Sequence, residues 1–499
     1  MNSTKTLKVA IIGSGFGGLA LANRLQGNGF QVTIFEKQNK VGGHAYQKII
    51  NGYTFDMGPS LITAPEIIDE VFTIAGFNRK EFLKYIPLSP YYRIYFHDKT
   101  YIDYSGNSDK MKEQICAFSS HDAIAYDRFM KYSESLYNIV IRDGLGSQPF
   151  LSMADFFRAA PKIIRTKAFL PCYQNVSFYF KDFRTRFMFS FHPLFIGGSP
   201  FNSPSLYLMI PYLEKIGGVW FTNGGMYSVV KAFEKIFLLN NGTIKTGTEV
   251  LSILTKDKKA IGVETTKEKE MFDLVVSNGH FAHTYMDLLK STNLMKWNKQ
   301  NVLKMKYSMS CYLLYLGVKK KYPQLKHHTL ILSDRYKELI KDIFNRKVLA
   351  EDFSMYLHVP SITDPTMAPK GCESMYVLIP TPNLEGRVDW KIEKDRFTNK
   401  VIDFLENDFG LSNLRDNIEV QETYTPYDFK NDRNNYLGSA WGVQPTLFQS
   451  ANFRPHNKSE DIENLYLVGA STHPGAGVPG VLLTAKTTEK IIRKDFDLQ

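Results

Sequence analysis

Apolar residues run along this chain in two rhythms. Near the start, Val9-Ala10-Ile11-Ile12 is a continuous apolar run, the mark of a strand covered on both faces. Residues 19–25 place apolar positions on one face at helical spacing, and residues 31–35 return to a strand. Strand, helix and strand in close succession predict two parallel neighbours with a helix packed on them. Further along, strands are predicted at residues 91–96 and 101–104, and a helix at 123–138. A helix opens at Pro65, a favourable first-turn proline. Residues 203–237 read as two helices with a short strand between them. A small β region follows around 250–264, and residues 273–278 form a strand returning to the first sheet. Strands at 310–318, 355–359 and 375–379 alternate with helices at 334–344 and 393–409. The chain closes on a buried strand at 465–468 and a helix at 484–492.

The first turn carries candidate chemistry. It reads GSGFGG, with Gly13, Gly15 and Gly18 at dinucleotide spacing. Gly13 permits the tight turn, Gly15 lets the backbone approach a pyrophosphate, and Gly18 lets helix and strand pack closely. The helix N-terminus offers free N–H groups to phosphates. Glu36 ends the next strand, about 20 residues past the loop, where a carboxylate accepts from ribose hydroxyls. The pair Gly42-Gly43 suits a loop pressed against the same ligand, and a strand beginning at residue 52 turns at Gly58-Pro59. At the other end, Gly469-Ala470 closes a strand, and Gly475, Gly477 and Gly480 keep the following loop close to something planar. The ends of the chain are therefore expected to meet around one ligand. One complete GxGxxG, with Glu36 and this second glycine loop, suggests a single bound FAD.

Composition narrows the class. The 499 residues exceed one small core, so two or more domains are expected. Aromatic content is 14%, with 36 Phe and 28 Tyr, and those rings must fill a core, line an apolar pocket or meet a membrane. Net charge is +11, without an arginine stripe or nucleic-acid motif, so no nucleic-acid partner is expected and an anionic membrane surface fits better. Cys116, Cys172, Cys311 and Cys372 form no C-x-x-C pair, which points to a reducing, cytoplasmic setting. The glycine fold begins so early that no signal peptide is expected. No apolar run reaches the ~18 residues of a spanning helix, so membrane contact is expected to be peripheral. Residues 148–199 mix aromatic and basic residues. They are read both as a helical substrate region with an aromatic core and as a membrane-facing patch where Lys162, Arg165, Lys167, Arg184 and Arg186 meet headgroups. His327-His328 invites a metal reading, but no acid or further His stands at ligand spacing, so no metal is expected.

From about Lys8 to Ile492 the chain resembles the bacterial phytoene desaturases. The specific stretches are GFGGLALANRLQ from Gly15, GYTFDMGPSLIT from Gly52, SNGHFAHTYMDLL from Ser277, HHTLILSDRYKELIKDIF from His327, AEDFSMYLHVPSITDPTMAPKGC from Ala350, QSANFRPHN from Gln449 and NLYLVGASTHPGAGVPGV from Asn464. The C30 enzymes acting on diapophytoene look similar. The resemblance implies an α/β fold: a Rossmann-like FAD-binding domain of the GR2 flavoprotein type, an inserted α+β substrate domain and a helical membrane-facing part. The FAD domain would comprise residues 1–75, 220–285 and 424–499, the other 76–219 and 286–423. Cofactor contacts are implied at Gly13, Gly15, Gly18, Glu36, Gly43, His44, Gly58, Pro59, Val250, Gly469, Ala470 and Val478. His44 departs from the family's usual Arg or Lys, and Met226 from its commonest pattern.

The implied activity is FAD-dependent oxidation of CH–CH groups, from phytoene to lycopene-type products, with a quinone or oxygen as electron acceptor. A long hydrocarbon without a polar handle needs an apolar tunnel that places the right bond beside the flavin. By resemblance, Asp155 and Arg158 match polar residues near the flavin end, with Asp155 accepting a proton or stabilising a cation and Arg158 keeping it ionised. His473, in the C-terminal loop, is a further candidate. Two rivals share the fold: another flavin amine oxidase-like enzyme, and a flavin-free binding protein for lipid-modified partners.

Overall fold

A computed structural model describes residues 6–290 and 292–498; residues 1–5 and 499 of the expected cofactor domain lie outside it. The first apolar run forms the strand Lys8–Ile12, the centre of a five-stranded sheet. Across that sheet the order is Leu465–Leu467, Leu274–Ser277, Lys8–Ile12, Gln31–Phe35 and Thr243–Lys245, every pair parallel. Strands from both ends of the chain are thus separated by one strand. Val9 and Ile11 face the helices, while Ala10, Ile12 and Phe35 cluster with Val250, Ile253 and Val263 of a three-stranded antiparallel sheet. Covering on both faces is why the run does not alternate with polar residues.

The helix Phe16–Gly27 is packed between Tyr227–Leu239, Pro65–Ile74 and the C-terminal helix Val478–Asp495. Arg24, almost wholly buried, donates to Glu489 at 2.5 Å and to Glu70 at 2.9 Å, and Lys486 completes the cluster at 2.9 Å from Glu70. Breaking a buried pair of this kind costs about 3–5 kcal/mol, so the cluster locks the first and last helices together.

The second sheet has seven strands in the order Ile418–Tyr424, Ser310–Val318, Glu373–Thr381, Met355–His358, His328–Ile331, Tyr92–Tyr95 and Tyr101–Tyr104. All neighbours are antiparallel except His328–Ile331 beside Tyr92–Tyr95. One face, with Tyr312, Leu314, Leu357 and Val377, packs on the helix Trp390–Asp403. The other, with Leu313, Tyr315, Leu330, Tyr356 and Tyr376, joins the aromatic core of the inserted region.

Two expectations change. The last helix begins at Val478, not at 484, because Pro479 suits a first turn and Gly477, at φ 87°, takes the residue before it. The predicted 334–344 helix is regular only over Tyr336–Lys341 and widens into a π turn at Asp342–Arg346. Residues 148–199 divide into the helices Met153–Arg165, Cys172–Val176 and Phe183–Ser190. Phe180, Phe187, Phe189 and Phe191 are core, whereas Phe157, Phe169, Phe178 and Phe183 are exposed. The aromatic-core reading holds for the buried rings of that segment. Among the described residues no helix is long and apolar enough to cross a membrane.

Candidate functional site

The junction of the two chain ends is built around Asn278, the residue after Leu274–Ser277. Its side-chain amide donates to the Gly13 carbonyl at 3.3 Å. A methyl group on Gly17 would come within 2.6 Å of its Oδ1, one on Gly469 within 2.8 Å, and one on Gly15 within 3.1 Å of its Nδ2. At Gly18 the added carbon would lie 2.2 Å from the Gly13 carbonyl oxygen, which explains that glycine by packing. The second glycine pair presses on the first loop: a carbon on Gly43 would sit 2.9 Å from Gly15 Cα. No side chain caps the helix Phe16–Gly27, so its first N–H groups are left for a ligand. The same holds for Val478–Asp495.

From this junction a cavity of about 1010 Å³ runs through the molecule, the upper end of the range for small-molecule sites. At one end its wall includes Gly13, Gly15, Glu36, Gly43, His44, Gly58, Pro59, Val250, Gly469, Ala470 and Val478. Gly18 lies behind this wall. Glu36, buried at the end of its strand, accepts from the Ser14 N–H at 3.0 Å, the Ser14 hydroxyl at 2.5 Å and the Gln38 N–H at 2.9 Å. These bonds orient the carboxylate, and its two oxygens retain acceptor sites for ribose hydroxyls. An uncapped helix end, a backbone surface that any side chain would obstruct and a fixed carboxylate together fit a dinucleotide.

His44 is half-buried in the cavity wall, and desolvation with Arg433 nearby lowers its pKa to about 4. Its Nε2 lies 3.2 Å from Asn435 Nδ2. The ring is therefore neutral and accepts from that amide. Arg433 and Lys37 also line this end and carry the positive charge that His44 lacks. Sequence reading missed them, along with Asn278, Asn435 and Thr248, because none belongs to a glycine motif. Arg454 was missed too. It is 2% exposed and donates to the carbonyls of Thr472, Gln449, Val443 and Ala470, pinning the C-terminal loop.

Away from the junction the wall becomes apolar, with Phe187, Phe191, Phe195, Leu332, Ile340 and Leu378 among its residues. His473 lines the passage against Phe150, with ring centroids 4.9 Å apart, and burial lowers its pKa to about 3. The far end is rimmed by Phe157, Ile164, Phe169, Leu447, Phe448 and Phe453, which line the cavity and are also exposed. Asp155 and Arg158 do not line it. The Asp155 carboxylate accepts from the Leu151 and Ser152 N–H groups and the Ser152 hydroxyl at 2.9–3.2 Å. This is the capping box of Met153–Arg165, with Arg158 at 3.3 Å on the outer face. These bonds hold the Asp155 carboxyl below its usual pKa despite partial burial. Of the predicted headgroup cations, Arg184 pairs with Asp98 and Asp182, and Arg186 donates to the Phe180 carbonyl. Lys162 reaches Asp143. His327 and His328 do acquire a third histidine, His358, from the neighbouring strand, with one ring nitrogen of each within 4.8 Å of the others. Strand pairing supplied what linear spacing did not.

The chain matches the family described as flavin containing amine oxidoreductase over residues 16–488. It is 40% identical to a phytoene desaturase (lycopene-forming) of Pseudescherichia vulneris, covering 98% of this chain and 99% of that one. It is 33% identical to a 4,4'-diapophytoene desaturase (4,4'-diapolycopene-forming) of Methylomonas, over 98% of this chain and 95% of the other. The crystal structure of an oxidoreductase from Methanosarcina mazei superposes with a TM-score of 0.63 at 17% identity, covering 97% of this chain and all of that one, a likeness of fold alone. The first glycine loop gives a direct expectation. Gly15→Val would fill the space at the junction, where even a Cβ meets Asn278 at 3.1 Å. The purified variant should fold, by circular dichroism, yet lack flavin absorbance.

Proposed function

Because the chain belongs to the phytoene desaturase family of flavin containing amine oxidoreductases, we propose that it binds FAD and desaturates phytoene drawn from a membrane, ending at lycopene-type products. It is a flavin-dependent oxidoreductase. The observation that carries the reading is the single cavity, which joins a dinucleotide cradle to an apolar passage with an exposed aromatic rim. Bound FAD supplies a two-electron acceptor for hydride. The chain's own part is to hold, orient and keep dry. Glu36 and the loop Gly13–Phe16 fix the dinucleotide half, with Gly43, His44, Gly58, Pro59, Val250, Gly469, Ala470 and Val478 as further contacts. The passage admits a hydrocarbon lengthwise and aligns one carbon–carbon bond at a time, since positioning carries much of the rate. The electron acceptor of the reading is a quinone or oxygen. The higher identity to a phytoene enzyme than to a diapophytoene enzyme favours the C40 substrate.

Asp155 and Arg158 are assigned to the rim, where they fix the start of Met153–Arg165 and so the position of Phe156 and Phe157. Phe157 is 66% exposed, Ile164 64% and Phe448 76%, and Arg158 and Arg165 stand exposed on the same helix. An apolar edge flanked by cations suits the interface of an anionic bilayer, from which a water-insoluble substrate enters.

Expression in cells that accumulate phytoene, followed by pigment analysis, tests the reading. Coloured conjugated products are expected, and unchanged phytoene in cells containing flavin-loaded protein rejects it. The diapophytoene strain run in parallel decides chain length.

The rim generates a second expectation. Burying one such side chain in lipid contributes about 1.5–3 kcal/mol, so Phe157→Asp with Phe448→Asp should weaken vesicle binding about tenfold or more. Wild-type binding to anionic vesicles should also fall with salt.

The capping geometry generates a third. Asp155→Asn should leave flavin reduction by phytoene within about threefold of wild type, whereas loss of an acid–base group slows a reaction about 10²–10⁴-fold. Single-turnover absorbance decides between them.

A further inference from the structure

The three histidines of the seven-stranded sheet have no part in the reading above, yet they reach its cavity through one hydroxyl. His328 opens the strand His328–Ile331 and stands opposite His358 in register. Tyr356 precedes His358 by two positions and so projects on the same face. Its hydroxyl lies 2.6 Å from His328 Nδ1 and 2.7 Å from the Ser60 hydroxyl. Tyr356 and Ser60 both line the cavity, and Ser60 follows directly on the Gly58-Pro59 turn. This hydroxyl pair therefore stands beside a turn that the proposed function assigns to the cofactor.

On the far side, His358 Nε2 is 3.1 Å from His327 Nε2, and His327 Nδ1 is 2.6 Å from the Thr363 hydroxyl. Thr363 is half-exposed. In between, His328 Nε2 and His358 Nδ1 are buried without a hydrogen-bond partner, a rare state for buried polar atoms. Their rings stack with centroids 5.3 Å apart. Polar atoms thus run from cavity to surface with one gap, and an unsatisfied nitrogen stands at each side of it. Transfer across that gap requires a ring rotation or a bridging water.

We propose that Tyr356, His328, His358 and His327 form a proton exit path, carrying the proton lost by the substrate from the cavity to solvent at Thr363. The proposal rests on the desaturase reading. In each desaturation one carbon gives a hydride to the oxidised flavin, and its neighbour gives a proton. The pair from the second C–H bond becomes the new π bond. Tyr356 Oη takes the proton as its own hydrogen passes to His328 Nδ1. The His328 imidazolium then releases the Nε2 proton towards His358, and His327 passes one on. Burial lowers the pKa of His327 to about 3 and those of His328 and His358 well below the ordinary value. The rings therefore rest neutral and give up an accepted proton readily, while an allylic cation is acidic enough to protonate them. The cluster also has the residue type of a zinc site. Against that use, it holds no carboxylate to balance a buried dication, and His327 and His358 already bond each other through Nε2.

The test follows flavin reduction in a single turnover, with phytoene in liposomes, no electron acceptor, and both H₂O and D₂O. Wild type should show a normal solvent isotope effect. Tyr356→Phe and His328→Gln should keep flavin content and melting temperature, slow reduction about 10²–10⁴-fold and lose the isotope effect. In ¹⁵N-histidine spectra of the resting wild-type protein, His328 Nδ1 should have the shift of an unprotonated acceptor. Tyr356→Phe reducing its flavin within about threefold of wild type, with the isotope effect intact, overturns the path and leaves the desaturase reading standing. A protonated Nδ1, or stoichiometric zinc in the purified protein, does the same without any variant. Flavin-loaded wild type that neither phytoene nor diapophytoene reduces removes both readings.

Discussion

Everything in this molecule depends on the closeness of backbone to backbone around Asn278. The strand Lys8–Ile12 and the strand Leu274–Ser277 lie side by side, and the loops leaving them converge on that one amide. Gly13, Gly15, Gly17, Gly18 and Gly469 surround it at distances where a Cβ would touch or collide. A side chain at these points would push apart the first loop, the last loop or the helix behind them. The Arg24–Glu489 pair holds the same closure from the helical side, where the first and last helices meet. The proposed cofactor site and fold closure are therefore one feature, because the glycine surface left bare beside the cavity is the surface that lets the chain ends approach.

The inserted region answers a different constraint. A hydrocarbon substrate offers nothing to hydrogen-bond, so its passage must be shaped by packing. Tyrosines and phenylalanines suit this because they are large and have few rotamers. Phe180, Phe187, Phe189 and Phe191 support the passage from within the core, and Phe157 and Phe169 turn outward at its rim. Beside the Gly58-Pro59 turn, Tyr376 donates to the Gly58 carbonyl at 2.9 Å, and Tyr356 bridges Ser60 and His328.

The cofactor end shows how charge is redistributed when one residue changes. His44 occupies the place of a permanent cation, yet desolvation keeps it neutral. Arg433 lies close enough to depress it further and itself lines the cavity. Positive charge at this end of the cavity thus comes from Arg433, the last residue of the helix Pro426–Arg433, almost 400 residues away in sequence. Uncapped starts at Phe16 and Val478 add two helix N-termini to the same end.

Local rules made part of this legible in the sequence. The continuous apolar run at Val9–Ile12, the glycine spacing and Glu36 each report short-range geometry, so strand, turn and acid could be placed without knowing the fold. The aromatic load left core, apolar pocket and membrane contact open, and the passage followed only from the family resemblance. Asp155 was read for its charge, but the tertiary structure shows a carboxylate already taken up by the backbone of its own helix start, a use that S-x-x-D spelled in the sequence. The histidine cluster was beyond any local rule. His328 and His358 are 30 positions apart, and the register of two antiparallel strands alone sets them side by side. The rim and the route of the cavity are of the same kind. They depend on which faces of distant elements come together, and packing decides that.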